Sequence, residues 1–182
     1  MSEKLDVKKV YCDTLEKMIS EGKPVVALDV DLMRIAGTKS FMDKYPGAYV
    51  QVGIAEQDAL GVAAGMAAMG NTVFVSAFAN FISMRSCDQA SSAVCYNELN
   101  VKLCGTYAGV TSGINGGTHI SVEDLAIFRS MPNMKILDPA DGVELAAAME
   151  KAAETDGPVY IRITKGPMPT IFPKDHKIEW GK

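Results

Sequence analysis

Short apolar runs alternate with longer amphipathic or small-residue stretches along the whole of this chain. Runs at 25–30, 72–76, 101–107, 134–137 and 159–164 are rich in β-branched, aliphatic and aromatic residues and too short for stable helices, so they predict β-strands. Between them, 7–21, 56–69, 80–97, 121–130 and 141–154 predict helices, and a Gly-rich loop follows the third strand as far as His119. Asp141 stands at the N-cap of the last helix, ahead of a clear amphipathic pattern. This alternation predicts an α/β fold of three αβα layers, a mostly parallel sheet covered by helices on both faces. Neither an internal repeat nor a low-complexity tract interrupts it.

Composition narrows the picture. At 182 residues and 48% hydrophobic content, the chain is long enough for one full α/β core and short for two. A net charge of -4, with no Lys/Arg run, argues against a nucleic-acid partner. No stretch approaches the roughly 18 uncharged apolar residues of a membrane span. Without signal-peptide character at the amino end, Cys12, Cys87, Cys95 and Cys104 read as reduced thiols in a cytoplasmic protein. They show neither CxxC spacing nor a metal-ligand cluster, and Cys87 and Cys95, eight apart, read as helix-packing positions. After Gly166 the composition turns to closely spaced prolines and mixed charges, so 1–166 is expected to form the domain and 167–182 a linker or tail.

Five places carry candidate chemistry. Glu56 heads a helix whose next turns are only Ala, Gly, Met, Val and Leu from Ala59 to Met69. It is either a charge complementing the helix dipole, as Asp58 also can be, or a carboxylate in water-poor surroundings that shares a proton with a ligand nitrogen. Phe78 and Phe81 follow the second of the apolar runs and form either core or the wall of a flat-ring pocket. His119 ends a loop with three nearby glycines, where core packing explains it poorly; it is either a surface histidine or a group placed for proton transfer to a substrate hydroxyl. Asp31 lies at the carboxyl end of the first strand, where ligands of α/β sheets gather; Lys165 closes the last strand as a point charge for phosphate or as an ordinary solvated lysine.

Taken in order, Ala27-Leu28-Asp29-Val30-Asp31-Leu32, Gly53-Ile54-Ala55-Glu56-Gln57, Ser76-Ala77-Phe78-Ala79-Asn80-Phe81, Gly116-Gly117-Thr118-His119, Asp138-Pro139-Ala140-Asp141 and Gly157-Pro158-Val159-Tyr160-Ile161-Arg162 resemble the pyrimidine-binding (Pyr) domain of thiamine-diphosphate enzymes of the transketolase group. The resemblance runs from about Val10 to Gly166. It implies thiamine diphosphate as cofactor, with Glu56 hydrogen-bonded to a ring nitrogen of the aminopyrimidine and favouring its imino tautomer. Phe78 and Phe81 then stack on and flank that ring, Asp31 reaches toward cofactor and substrate, and His119, Asn115 and Lys165 face the substrate. Met84 stands where a third aromatic is usual, Asn115 where an aspartate is, Ile120 where a glutamine follows the histidine, and Lys165 where an arginine holds phosphate. The sequence has no Gly-Asp-Gly, the motif with which such enzymes hold the diphosphate and its Mg2+ or Ca2+. The resemblance therefore implies a diphosphate-binding partner subunit, an oligomer, and the C-terminal subunit of a split transketolase that stops before its last domain. The implied reaction is transfer of a two-carbon ketol unit between sugar phosphates. A 1-deoxyxylulose-5-phosphate synthase-like domain, a 2-oxo-acid dehydrogenase beta-subunit-like domain and a noncatalytic oligomerisation module are the alternatives.

Overall fold

The computed structural model describes residues 3–181; Met1, Ser2 and Lys182, and with them the extreme ends of the two expected ranges, lie outside it. Six parallel strands form the central sheet: β2 (Val25–Asp29), β3 (Tyr49–Gln51), β4 (Thr72–Phe78), β5 (Val101–Thr106), β6 (Lys135–Leu137) and β7 (Val159–Ile163). Their order is β3-β2-β4-β5-β7-β6. A separate antiparallel pair joins β1 (Lys4–Asp6) to β8 (Pro167–Pro169), within the stretch whose composition reads as a tail.

Parity along the strands splits the core in two. On one face Ala27, Phe74, Cys104 and Ile161 pack with Tyr11, Leu15 and Met18 of α1 (Val7–Ser20) and Leu145 and Met149 of α7 (Gly142–Ala153). On the other, Leu28, Val75, Leu103 and Tyr160 meet Ala59, Leu60 and Ala63 of α4 (Glu56–Ala68) and Phe128 of α6 (Asp124–Arg129). The result is the expected three-layer αβα fold, and burial on both faces explains the nearly continuous apolar runs of β2, β4 and β5.

Three segments differ from the sequence expectation. Residues 31–48 carry two short helices, α2 (Met33–Ala36) and α3 (Lys39–Lys44), and lead into β3. That edge strand is three half-exposed residues long, too short to show a period. The single helix expected over 80–97 is instead a π turn (Phe81–Arg85), a short α5 (Cys87–Gln89) and a second π turn (Ala90–Cys95). Ser83 and Ser86 donate their hydroxyls to the carbonyls of Ala79 and Ile82, supplying partners where the helical ladder is irregular.

Asp141 caps α7, accepting the Glu144 N–H at 2.8 Å, and its second oxygen accepts the N–H groups of Ile171 and Phe172 at 2.6 and 2.8 Å. One buried carboxylate thus ties a helix start to the segment after β8. Desolvation opposes ionisation, but the backbone N–H bonds outweigh it and hold the Asp141 carboxyl below the usual carboxylate range. A folded-state value below the unfolded one contributes stability that is present above about pH 3.9 and is lost as pH falls through the folded value. Asp141→Ala is expected to cost about 1–2 kcal/mol at pH 7, measured by urea unfolding, and less at pH 3. An equal loss at both pH values would remove the charge from that explanation.

Candidate active site

A parallel sheet sends the carboxyl ends of its strands to one edge, and the chain reverses direction across the sheet between β2 and β4, neighbours whose following connections lead apart. Phe78 ends β4, Tyr107 follows β5, and Lys165 follows β7, so residues far apart in sequence meet at that edge. Phe78 is the hub. Its ring meets those of Phe81, Tyr107 and His119 at centroid distances of 5.6, 5.3 and 5.1 Å, each edge to face. His119 also contacts Phe81 at 5.1 Å. The cluster is anchored at the loop end by Asn80, whose side-chain amide donates to the Thr118 carbonyl at 2.7 Å.

Glu56 is 3% exposed at the first position of α4. No side chain caps that helix, so the carboxylate sits beside unpaired N–H groups at the positive end of the dipole. Its Oε2 accepts from Arg85 Nη1 at 2.8 Å, while Oε1 carries no hydrogen bond among the described residues. The Arg85 guanidinium also lies 4.2 Å over the Phe81 ring. Contacts therefore run unbroken from Glu56 through Arg85, Phe81, His119, Phe78 and Tyr107 to Lys165, whose ammonium stands 4.9 Å over Tyr107.

His119 Nδ1 is 2.9 Å from the Thr118 hydroxyl. A hydroxyl both donates and accepts, so it serves either tautomer and leaves Nε2 free to give or take a proton.

The sequence-read residues divide accordingly. Glu56, Phe78, Phe81, His119 and Lys165 are brought together. Asp31 is not: it is exposed beyond β2 with φ 66°, and its backbone N–H is held by Gln51 Oε1 at 2.9 Å. Asn115 lies exposed on a 3-10 turn (Gly113–Asn115), outside the ring contacts. The carboxylate buried at the end of β2 is Asp29, which accepts from Leu32 N, Ser76 Oγ and Gln51 Nε2 at 2.5, 3.2 and 3.3 Å; desolvation raises its pKa above the usual value. Arg85 and Tyr107 escaped the sequence reading. The signals were a buried acid in need of a counter-charge and an aromatic at the carboxyl end of a strand.

The family model for the pyrimidine-binding domain of transketolase matches residues 3–170. The chain belongs to that family. Among curated members of the transketolase family it is 41% identical to the 6-deoxy-6-sulfo-D-fructose transketolase subunit SqwH of Clostridium sp. (strain MSTE9), covering 97% of this chain and 55% of that one. To one of the subunits of the apulose-4-phosphate transketolase of Phocaeicola vulgatus it is 34% identical, over 92% of this chain and 54% of the relative. A solved split-gene transketolase, an inactive beta4 tetramer, superposes with a TM-score of 0.88 at 36% identity, covering 99% of this chain and 58% of the other. The chain thus spans a little over half the length of each of these three relatives. Among the described residues no helix is long and apolar enough to cross a membrane, and no group of three or more His, Cys, Asp or Glu side chains converges to hold a metal ion.

Glu56 is enclosed but Arg85 is 47% exposed, so solvent screens the pair. A double-mutant cycle with Glu56→Gln and Arg85→Met, followed by chemical unfolding, is expected to give a coupling energy of about 1 kcal/mol. A coupling indistinguishable from zero would mean that Arg85 serves a ligand rather than the fold.

Proposed function

We propose that this chain supplies the pyrimidine-binding half of a thiamine-diphosphate-dependent transketolase that transfers a two-carbon ketol unit between sugar phosphates. Its site is completed by a diphosphate-binding partner subunit, which holds the Mg2+ or Ca2+. The observation that carries this reading is the unbroken run of contacts from Glu56 to Lys165 at the carboxyl edge of the sheet. We assign 1–166 to the pyrimidine-binding domain and 167–182 to a linker or tail; the family match over 3–170 supports the first range and extends into the second, where β8 pairs with β1.

The residues present fit the cofactor. An aromatic wall suits a flat ring, and a buried carboxylate with one uncommitted oxygen suits a ring N–H. When bound, thiamine diphosphate supplies an acidic thiazolium carbon and an electron sink for the two-carbon unit. Glu56 Oε1 would accept a ring N–H of the bound cofactor, while Arg85 on Oε2 holds the carboxylate and supplies its counter-charge. Phe78 and Phe81 line the ring, and Tyr107 backs Phe78. His119 Nε2 exchanges a proton with a substrate hydroxyl, with Thr118 compensating at Nδ1. Lys165 offers a point charge to the substrate phosphate. Asp31 and Asn115, both exposed, stand at the rim where the partner and the substrate arrive. The exposed side of α4, with Gly61, Gly65 and Ala68, leaves room for a close approach of that subunit.

The test is reconstitution with the diphosphate-binding subunit and measurement of ketol transfer from xylulose 5-phosphate to ribose 5-phosphate. Glu56→Gln is expected to lower turnover by about 10²-fold or more, and His119→Ala by about 10²-fold with cofactor affinity kept. A complex that transfers normally with Glu56→Gln would overturn the reading. Phe78→Ala is expected to weaken cofactor binding by about 0.5–1.5 kcal/mol beyond its lost apolar area, as read by calorimetry. Unchanged affinity would remove Phe78 from the cofactor wall.

A further inference from the structure

Behind the His119 loop lies a buried ionic network that the proposed reaction does not use. Asp124, in the first turn of α6, is fully buried. Its Oδ2 accepts from the Tyr160 hydroxyl at 2.6 Å and from Arg162 Nε at 2.9 Å, whereas Oδ1 is buried without a partner. The tyrosine reaches Asp124 only because residue 105 is glycine: a Cβ there would overlap the Tyr160 hydroxyl. Removing two ionic groups from water is expensive, and an acid with one oxygen unmatched has not recovered that cost in full. Stability alone therefore does not account for the network.

Its outer end points to what it holds. Arg162 Nη1 donates to Asp138 at 3.3 Å, and Nη2 donates to the Ser121 carbonyl at 3.4 Å. The guanidinium also lies against Gly109, where an added Cβ would come within 3.2 Å of Nη2. Gly109 and Ser121 are the two ends of the loop, paired as an antiparallel bridge with Ser121 N–H donating to Gly109 O at 3.1 Å. Between them the backbone is left-handed at Gly113 and Gly116, and residues 113–118 are exposed. His119 is two residues from Ser121, a span of at most about 7 Å, so the clasp is a backbone anchor close behind the imidazole.

We propose that Arg162, aimed by Asp124, is a positioning residue for His119 and acts through the Gly109–Ser121 clasp. Asn80 holds the loop from the front at Thr118; Arg162 holds it from behind. Among the described residues no hydrogen bond, ion pair or ring contact joins Asp124, Tyr160 or Arg162 directly to Glu56, Phe78 or Phe81, so the network bears on the aromatic wall through His119.

The test uses the reconstituted complex, and its kinetic arm rests on the transketolase reading. Arg162→Met is expected to lower kcat about 10- to 100-fold with thiamine diphosphate affinity unchanged. In the His119→Ala background the same substitution is expected to cost less than about twofold, because a residue acting through His119 has nothing left to position. Arg162→Lys keeps the charge without the fork and is expected to fall nearer Arg162→Met than wild type; it also serves if Arg162→Met does not fold. Hydrogen exchange over 109–121 gives a readout independent of activity. Arg162→Met or Arg162→Lys is expected to raise exchange there several-fold with β4 and α4 unchanged. Unchanged loop exchange, or a kcat loss of equal size with and without His119, would overturn the proposal. A wild-type complex without ketol transfer would sink the transketolase reading, and the exchange result would still decide the clasp.

Discussion

Parallel strands buried on both faces impose the constraint from which the other features follow. The inner strands β2, β4, β5 and β7 spend both sets of side chains on packing, so polar function is pushed to the strand ends and the loops beyond them. All six point the same way, and the carboxyl edge collects Phe78, Tyr107 and Lys165 from three different crossovers. Lys102, near the start of β5, shows what the sheet does with a charge it cannot send to an end. Burial and the like charge of Lys135 lower its pKa to about 7. The charges of Asp156 and Cys104 oppose that shift, and the amino group meets three acceptors: Asn100 Oδ1, Thr155 O and Gly157 O, at 2.6, 2.7 and 2.7 Å. They match the three N–H donors that only the ammonium carries.

The two acid–arginine pairs differ in a way that fits different work. In Asp124–Arg162 the guanidinium is 16% exposed and its donors are spread over Asp124, Asp138 and Ser121, so it has little freedom. In Glu56–Arg85 the arginine is 47% exposed and among the described residues donates to one acceptor only, so although each acid keeps one oxygen without a partner, the difference lies in the guanidinium. A pair of the first kind fixes backbone; in a pair of the second kind the arginine has donors left for a ligand. Both carboxylates begin helices, where the dipole lowers the cost of enclosing a negative charge.

Elements with a full period of their own were legible in the sequence. Stretches of five to seven mostly apolar residues marked β2, β4 and β5, and the Asp141 cap with its amphipathic repeat marked α7. Shorter elements such as β3 and β8 carry no such signal, because three residues owe their strand state to a neighbour. Of the site, the order of motifs along the chain singled out Glu56, Phe78, Phe81 and His119. Asp31 shows where that reasoning stops. It stands two residues from Asp29, and in a strand buried on both sides hydrophobicity does not say where the strand ends. The turn falls between them, burying Asp29 under four hydrogen bonds and turning Asp31 to solvent. Arg85 was hidden for a related reason, since its partner became visible only once the helix after β4 had its actual pitch.

That pitch also decides the third aromatic of the wall. Hydrogen bonding of the π type widens the turn over Phe81–Arg85, keeping the residue four positions on above Phe81 and carrying the residue three positions on away from it. Arg85 therefore lies over the ring, and Met84 is 55% exposed. An aromatic at position 84 would meet solvent in this backbone. The third ring comes instead from across the sheet, as Tyr107, held at the end of β5 with φ 58° and packed edge to face on Phe78. Because the same ring carries the Lys165 ammonium on its face, the aromatic cluster and the candidate anion site share one side chain, Tyr107.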